Sequence, residues 1–190
     1  NYLAGLMLGV FNDDNANVGY YTLALNLTTP LTYLPGVVGT AYFKKFADIS
    51  SIPAAVLKTT VFVTLGTCVA FVLLAHPVVH LFYPDEYDCV ATYASWMSVG
   101  FCVHGIGDML NRYLGSHGQG KGIRNGSFIG GAVKITGFTL LVWLFDINGA
   151  LVTNVLASIA YCASMVYYYR RFVKENRKYD CDNTSQLEWC

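Results

Sequence analysis

Long apolar runs, nearly free of charge, alternate with short polar segments along this chain. No Asp, Glu, Lys or Arg occurs in four stretches, 18–43, 59–84, 89–107 and 147–169. A fifth apolar stretch, 123–145, is interrupted near its middle by Lys134. A helix needs about 20 residues to cross the hydrocarbon core of a bilayer. The pattern therefore predicts an all-α, polytopic membrane helix bundle with five spans within residues 18–178.

The two ends of the chain differ from this bundle. Residues 1–11, NYLAGLMLGVF, form an apolar run too short to span and lack the basic region of a signal peptide. We expect them to be the end of a transmembrane helix that begins in a missing N-terminal part. Residues 179–190 are expected to form a polar cytoplasmic tail.

Composition agrees with a lipid-facing protein. Charged residues make up 13% of the chain and mean hydropathy is +0.41, whereas charge makes up about 25% of an ordinary soluble domain. Buried helices of a soluble protein could give one such apolar run, but four or five in one short chain make that interpretation poor. The six cysteines show no metal or disulfide spacing.

Basic and acidic residues fall at opposite ends of the predicted helices. Eleven of the twelve basic residues fall at one set of predicted helix ends, namely Lys44, Lys45, Lys58, Arg112, Lys121, Arg124, Arg170, Arg171, Lys174, Arg177 and Lys178. In the loops at the opposite helix ends, every charged residue is acidic, namely Asp13, Asp14, Asp85, Glu86, Asp88 and Asp146. Basic residues mark cytoplasmic loops. We therefore expect the loops 44–53 and 116–122 and the C-terminus to be cytoplasmic.

A charged stripe interrupts the apolar pattern in FCVHGIGDMLNRYLG, residues 101–115. His104, Asp108 and Arg112 recur every fourth residue, which places them on one helix face. Asp108 and Arg112 stand in the acid-first order that favours a local ion pair. The functional alternative is that both line a water-filled cavity at the centre of the bundle, with Asp108 and His104 as candidates for proton coupling. His104 could carry a coupling proton, since its ordinary pKa is about 6.5, or simply make a helix contact. A metal site lacks a third ligand.

Lys134 is the clearest candidate for a functional residue. It lies about ten residues into its span, or about 15 Å deep, and adjacent antiparallel spans place His104 at a similar depth. Lys134 could pair with Asp108 or line a cavity, and we favour the cavity because charges at such depth are usually functional.

Two further polar residues are candidates for lining a cavity. Asn26 precedes Pro30 and Pro35, which predict a kinked helix. Asn154 belongs to a stripe of small residues for which helix packing is the favoured alternative.

Several short motifs, in order, resemble one transporter family. NVGYYTLALNLTTPLTYLPGVVGTAYFKKFADI is similar to the eighth span of polysaccharide flippases, although KKF lacks the usual proline. HPVVHLFYPDEYDCV, LGSHGQGKGIRN and DINGALVTNVLA resemble later segments. The likeness extends to about Lys178. The chain thus resembles the C-terminal half of Wzx-type O-antigen or repeat-unit flippases of the multidrug/oligosaccharidyl-lipid/polysaccharide exporter superfamily.

This resemblance implies a function and a set of partners. Such proteins are twelve-span transporters of the bacterial inner membrane that flip undecaprenyl-diphosphate-linked oligosaccharide by alternating access, coupled to an ion gradient. The bilayer, the N-terminal half of the same protein, and a polysaccharide polymerase and ligase are the implied partners. No cofactor, metal, nucleic acid or enzymatic activity is expected.

Two alternatives remain open. One is an ion-coupled exporter of drugs or small solutes from the same superfamily. The other is a membrane-embedded enzyme of polysaccharide synthesis, whose acid/base or metal residues would lie in the predicted thirteen-residue loop 76–88. That loop carries His76, His80, Asp85, Glu86 and Asp88. We interpret it as a surface turn, since short loops rarely build a catalytic site without help from others.

Overall fold

The chain is helical almost throughout. A computed structural model describes the backbone of residues 2–11 and 15–187 and the side chains of residues 4–10 and 16–176. The α-helices are α1 (Tyr2–Phe11), α2 (Asn15–Thr28), α3 (Tyr33–Ala41), α4 (Phe43–Ala47), α5 (Ala54–Phe82), α6 (Asp88–Ser116) and α7 (Gly120–Leu187). No strand occurs in these described ranges. The all-α prediction is confirmed. Asp13 and Asp14 lie outside the described ranges, as do residues 1 and 188–190 of the two end segments and the side chains of Arg177 and Lys178.

Within the described part of the chain, three helices are long and apolar enough to cross a membrane, whereas the sequence predicts five spans. They are Ala54–Phe82, Asp85–Ser116 and Gly120–Asn176. The difference has two causes. The first predicted span is divided between α2 and α3 by a 3-10 turn at Thr29–Thr32. The last two predicted spans lie within one long helix, α7, which reverses direction.

The reversal in α7 occurs at Asp146, whose φ of 49° and ψ of −129° are not helical. It divides α7 into a first arm (120–145) and a second arm (147–187). The arms pack antiparallel: Cβ atoms added to Gly122 and Gly130 would lie 3.3 Å and 3.1 Å from the side chains of Tyr168 and Tyr161. Small residues permit this close packing of apolar helices. Because each arm has more than about 20 residues, each is long enough to account for one predicted span.

Helix α6 is the centre of the bundle. In the most apolar part of α6, 50% of the residues are buried, whereas only 17% are buried in the corresponding parts of α5 and α7. It runs antiparallel to α5, where the Cys102 thiol donates to the Thr64 carbonyl at 3.8 Å and the Cys68 thiol lies 3.7 Å from the Ser98 hydroxyl. It runs parallel to the second arm of α7, which packs against Gly100 and Gly107.

The kink predicted from two prolines coincides with the 3-10 turn between α2 and α3. Proline removes a helical N–H donor, so nearby carbonyls must find other partners. Hydroxyl groups of Thr28, Thr29 and Thr32 donate to carbonyls three or four residues earlier at 2.7–2.8 Å. Pro35 packs directly on α6, because a Cβ on Gly105 would lie 2.9 Å from its ring. The broken helix therefore lies close against the centre of the bundle.

The loops predicted to be cytoplasmic meet at one end of the bundle. The Tyr113 hydroxyl of α6 donates to the Ile49 carbonyl at 3.3 Å, and the Ile52 N–H donates to the Tyr169 hydroxyl at 3.2 Å. These bonds join the 44–53 segment to the last turns of α6 and to the second arm. Part of that segment is helical, as α4, because Phe46 is fully buried there.

The predicted thirteen-residue loop 76–88 is wrong. Helix α5 continues past Pro77 to Phe82 and α6 begins at Asp88, with a 3-10 turn at Asp85–Tyr87 between them. Val79 is buried in this part of α5 and packs in a small apolar cluster with Ala75 and Ala91. Tertiary packing therefore keeps residues 76–82 helical, although the sequence pattern predicts that they belong to a loop.

Candidate functional site

A polar cavity of about 280 Å³ lies where α6 meets both arms of α7. Lys134 and Ser127 come from the first arm, Tyr161 from the second arm and His104 from α6. Gly130, Gly131 and Ala157 complete the lining. His104, singled out by the i, i+4 stripe, and Lys134, singled out by its depth, are therefore brought to the same cavity.

Lys134 reaches this cavity because of where it stands on the first arm. It follows Gly130 by one helical turn, so both residues lie on the same face. At Gly130 the second arm packs closely through Tyr161, whose Cβ would lie 3.1 Å from an added Cβ. The Lys134 side chain is half-buried, and its aliphatic stem suits the apolar helices around it.

Tyr161 connects the polar groups of the site. Its hydroxyl donates to Oδ1 of Asp108 at 2.9 Å and accepts from Nδ2 of Asn111 at 2.9 Å. Its ring lies on the imidazole of His104, with centroids 4.6 Å apart and planes inclined by 30°. The close approach depends on Gly107 of α6, where an added Cβ would lie 2.9 Å from the ring.

The charges of the site act on one another. Asp108 and Lys134 both interact electrostatically with His104, and Asp108 interacts with Lys134. Nδ1 of His104 is buried and has no hydrogen-bond partner among the described residues. A buried polar atom without a partner is unfavourable by about 1–3 kcal/mol. The arrangement therefore suits a bound polar or anionic group.

Arg112 does not belong to this cavity. Its side chain is exposed and lies across α3, where a Cβ on Gly39 would meet its Cδ at 2.7 Å. No ion pair joins Asp108 to Arg112, both of which are described residues. The local ion pair, one of the two interpretations that the sequence left open, is therefore not formed. Tyr161 bonds the carboxylate and the arginine stem packs on glycine.

The two asparagines proposed as cavity-lining residues lie elsewhere. Asn26 is exposed on α2 and is not part of the polar cavity. Asn154 is 2% exposed in the second arm, where its backbone carbonyl faces Gly100 of α6. Its Nδ2 has no hydrogen-bond partner within the described part of the chain. Asn154 is thus a buried residue of the α6–α7 contact, as the small-residue stripe suggested.

Sequence reasoning missed Tyr161, Asn111 and Ser127. Tyr161 and Asn111 show no local pattern that distinguishes them from packing residues. The available signal was indirect: Gly107 and Gly130 mark where two helices can accept a large ring between them. Only the register of α6 against the two arms shows which ring that is.

The acidic turn at the other end of the bundle forms no comparable site. His80 Nδ1 lies 3.5 Å from Asp85 Oδ1, with the two side chains 68% and 90% exposed. Among the described residues, no group of three or more His, Cys, Asp or Glu is placed to hold a metal ion. The cysteines whose side chains are described, Cys68, Cys89, Cys102 and Cys162, are free thiols.

No protein-family model matches this chain, and neither a curated protein nor a solved structure matches it.

Proposed function

We propose that this chain is the C-terminal half of a membrane transporter that flips lipid-linked oligosaccharide across the inner membrane. One observation carries the proposal: Lys134, deep in a long apolar helix, lines a polar cavity together with His104 and Tyr161. The apolar helices contact the bilayer. The cavity supplies a polar surface inside them.

The physical argument concerns the position of the charge. An ionisable group near the bilayer midplane costs about 2.5–3.5 kcal/mol on insertion scales and marks a substrate or ion pathway in most membrane proteins. An amine in a low-dielectric site attracts phosphate oxygens strongly. The Lys134 amine would therefore bind the diphosphate of the cargo, and Tyr161 would hold Asp108 in position beside it.

The identity of the cargo depends on the resemblance to repeat-unit flippases. Undecaprenyl diphosphate is the anionic group that this resemblance implies, and alternating access is the implied mechanism. His104 and Asp108 are the candidates for carrying the coupling proton. Polysaccharide polymerase and ligase would act on the flipped product.

The test replaces Lys134 in the full-length protein and measures surface polysaccharide. We expect Lys134→Ala to lower output by about 10-fold or more, since a hydrogen bond to a charged group contributes about 1.5–3 kcal/mol. Lys134→Arg keeps the charge and should retain most of the output. Lys121→Ala is the matched control, because Lys121 is exposed at the start of the same arm.

Protein abundance in the membrane is measured for every variant. Unchanged polysaccharide from Lys134→Ala at normal abundance would overturn the assignment of Lys134. Loss of resistance to a small toxic solute, with polysaccharide unaffected, would instead support the exporter alternative.

A further inference from the structure

A second concave surface, of about 390 Å³, lies between α6 and the second arm of α7. Its lining comes only from these two helices and includes Trp96, Asn148 and Val155. None of its lining residues belongs to the polar cavity. We call this surface the Trp96 groove.

The Trp96 groove changes in polarity along its length. Thr92, Tyr93 and Asn148 lie near the start of their helices, at the end of the bundle where α6 begins and α7 reverses. Leu156 lies eight residues further along the second arm, which is about 12 Å deeper. Aromatic residues near a helix end favour the level of lipid headgroups. The groove thus has a polar mouth at the interface and an apolar floor in the hydrocarbon.

Charge at the mouth is of one sign. Asp88 precedes Thr92 by one turn on the same face of α6, and Asp146 precedes Asn148 by two residues. Both aspartates are exposed, and the described residues from 83 to 92 and from 144 to 150 include no Lys or Arg. A headgroup with only negative charge would be repelled, whereas a primary ammonium would be attracted and could donate hydrogen bonds.

We propose that the Trp96 groove binds a phospholipid with a primary ammonium headgroup, of the phosphatidylethanolamine type. One acyl chain lies along Trp96, Val155 and Leu156, and the ammonium lies between Asp88 and Asp146. The Asn148 amide is placed to donate to the lipid phosphate. This lipid site is separate from the proposed transport function and does not depend on it.

The test uses Trp96 as a fluorescent reporter in the full chain. Trp143 and Trp189 are replaced by Phe, and the protein is reconstituted in phosphatidylcholine vesicles. Phosphatidylethanolamine or phosphatidylglycerol, brominated on the acyl chain, is then added in increasing fraction, and quenching of Trp96 is recorded. The control is a second protein in which all three tryptophans are replaced by Phe and Leu65 is replaced by Trp. Leu65 is 61% exposed, close to the 64% of Trp96, but lies in the first half of α5, toward the opposite end of the bundle from Asp88 and Asp146.

We expect half-maximal quenching of Trp96 at an about 5-fold lower membrane fraction of the ethanolamine lipid than of the glycerol lipid. This factor corresponds to about 1 kcal/mol, the contribution of one charge near the membrane surface. The Leu65→Trp control should show no such preference. Asp88→Asn with Asp146→Asn should remove the difference at Trp96. Equal quenching by the two lipids, stronger quenching by the glycerol lipid, or a preference that persists in the double Asn variant would each overturn the proposal.

Discussion

The Tyr161 hydroxyl donates a hydrogen bond to Oδ1 of Asp108 at 2.9 Å, joining the second arm of α7 to α6. The carboxylate is therefore held across a helix–helix contact and not by Arg112 on its own helix. This relationship decides how the polar cavity is built. It keeps a carboxylate beside His104 and Lys134 while the arginine remains on the opposite contact with α3.

The first prediction concerns which neighbour of Asp108, Tyr161 or Arg112, contributes to the free energy of unfolding. A double-mutant cycle of Asp108→Ala with Tyr161→Phe should give a coupling of about 1.5 kcal/mol, since the hydrogen bond is made to a charged group. The same cycle with Arg112→Gln should be additive within about 0.5 kcal/mol. Both are measured from free energies of unfolding in mixed micelles. Equal coupling in the two cycles would restore the local ion pair.

The second prediction compares two neighbouring glycines of the first arm. An added Cβ on Gly130 would lie 3.1 Å from the Tyr161 Cβ, whereas one on Gly131 would meet nothing within 4 Å. Gly130→Ala should therefore destabilise the chain by about 1–3 kcal/mol through overpacking. Gly131→Ala should be neutral or stabilising by up to about 1 kcal/mol, because alanine favours helix. Thermal unfolding of both variants checks this, and equal melting temperatures would contradict the helix register.

The third prediction concerns the reversal of α7. A Cβ on Gly149 would collide with the Leu141 carbonyl, so the backbone can pass here only without a side chain. Gly149→Ala should prevent the two arms from closing and lower the yield of folded protein. Gly66→Ala, in open space on α5, is the control. Monodispersity on gel filtration is measured, and a well-folded Gly149→Ala protein would show that the arms are not packed this way.

Much of the architecture follows from one-dimensional patterns. The uncharged runs predict where the long helices lie, since apolar length and absence of charge are local properties. The depth of Lys134 and His104 follows from counting residues along antiparallel helices, and the two residues do share a cavity. The function of that cavity stays a prediction.

The remaining features depend on contacts between distant parts of the chain. The i, i+4 spacing left an Asp108–Arg112 pair open because it takes no account of Gly36 and Gly39 on α3, across which the arginine lies. Tyr161 was missed because its importance arises only when α6 and the second arm are in register. The prediction of a loop over 76–88 is wrong because the packing of Val79, in the part of α5 that the loop prediction covers, is a tertiary effect.

Accessibility of position 134 to water tests the central claim most directly. In a chain whose native cysteines are replaced by alanine, Lys134→Cys and Ile135→Cys are compared in membranes with a charged, membrane-impermeant thiol reagent. Ile135 is 58% exposed on the apolar surface and should lie in lipid. We predict rapid labelling at 134 and almost none at 135. Labelling at 135 but not at 134 would contradict the account, because Lys134 would then face acyl chains and no polar cavity would open at that depth.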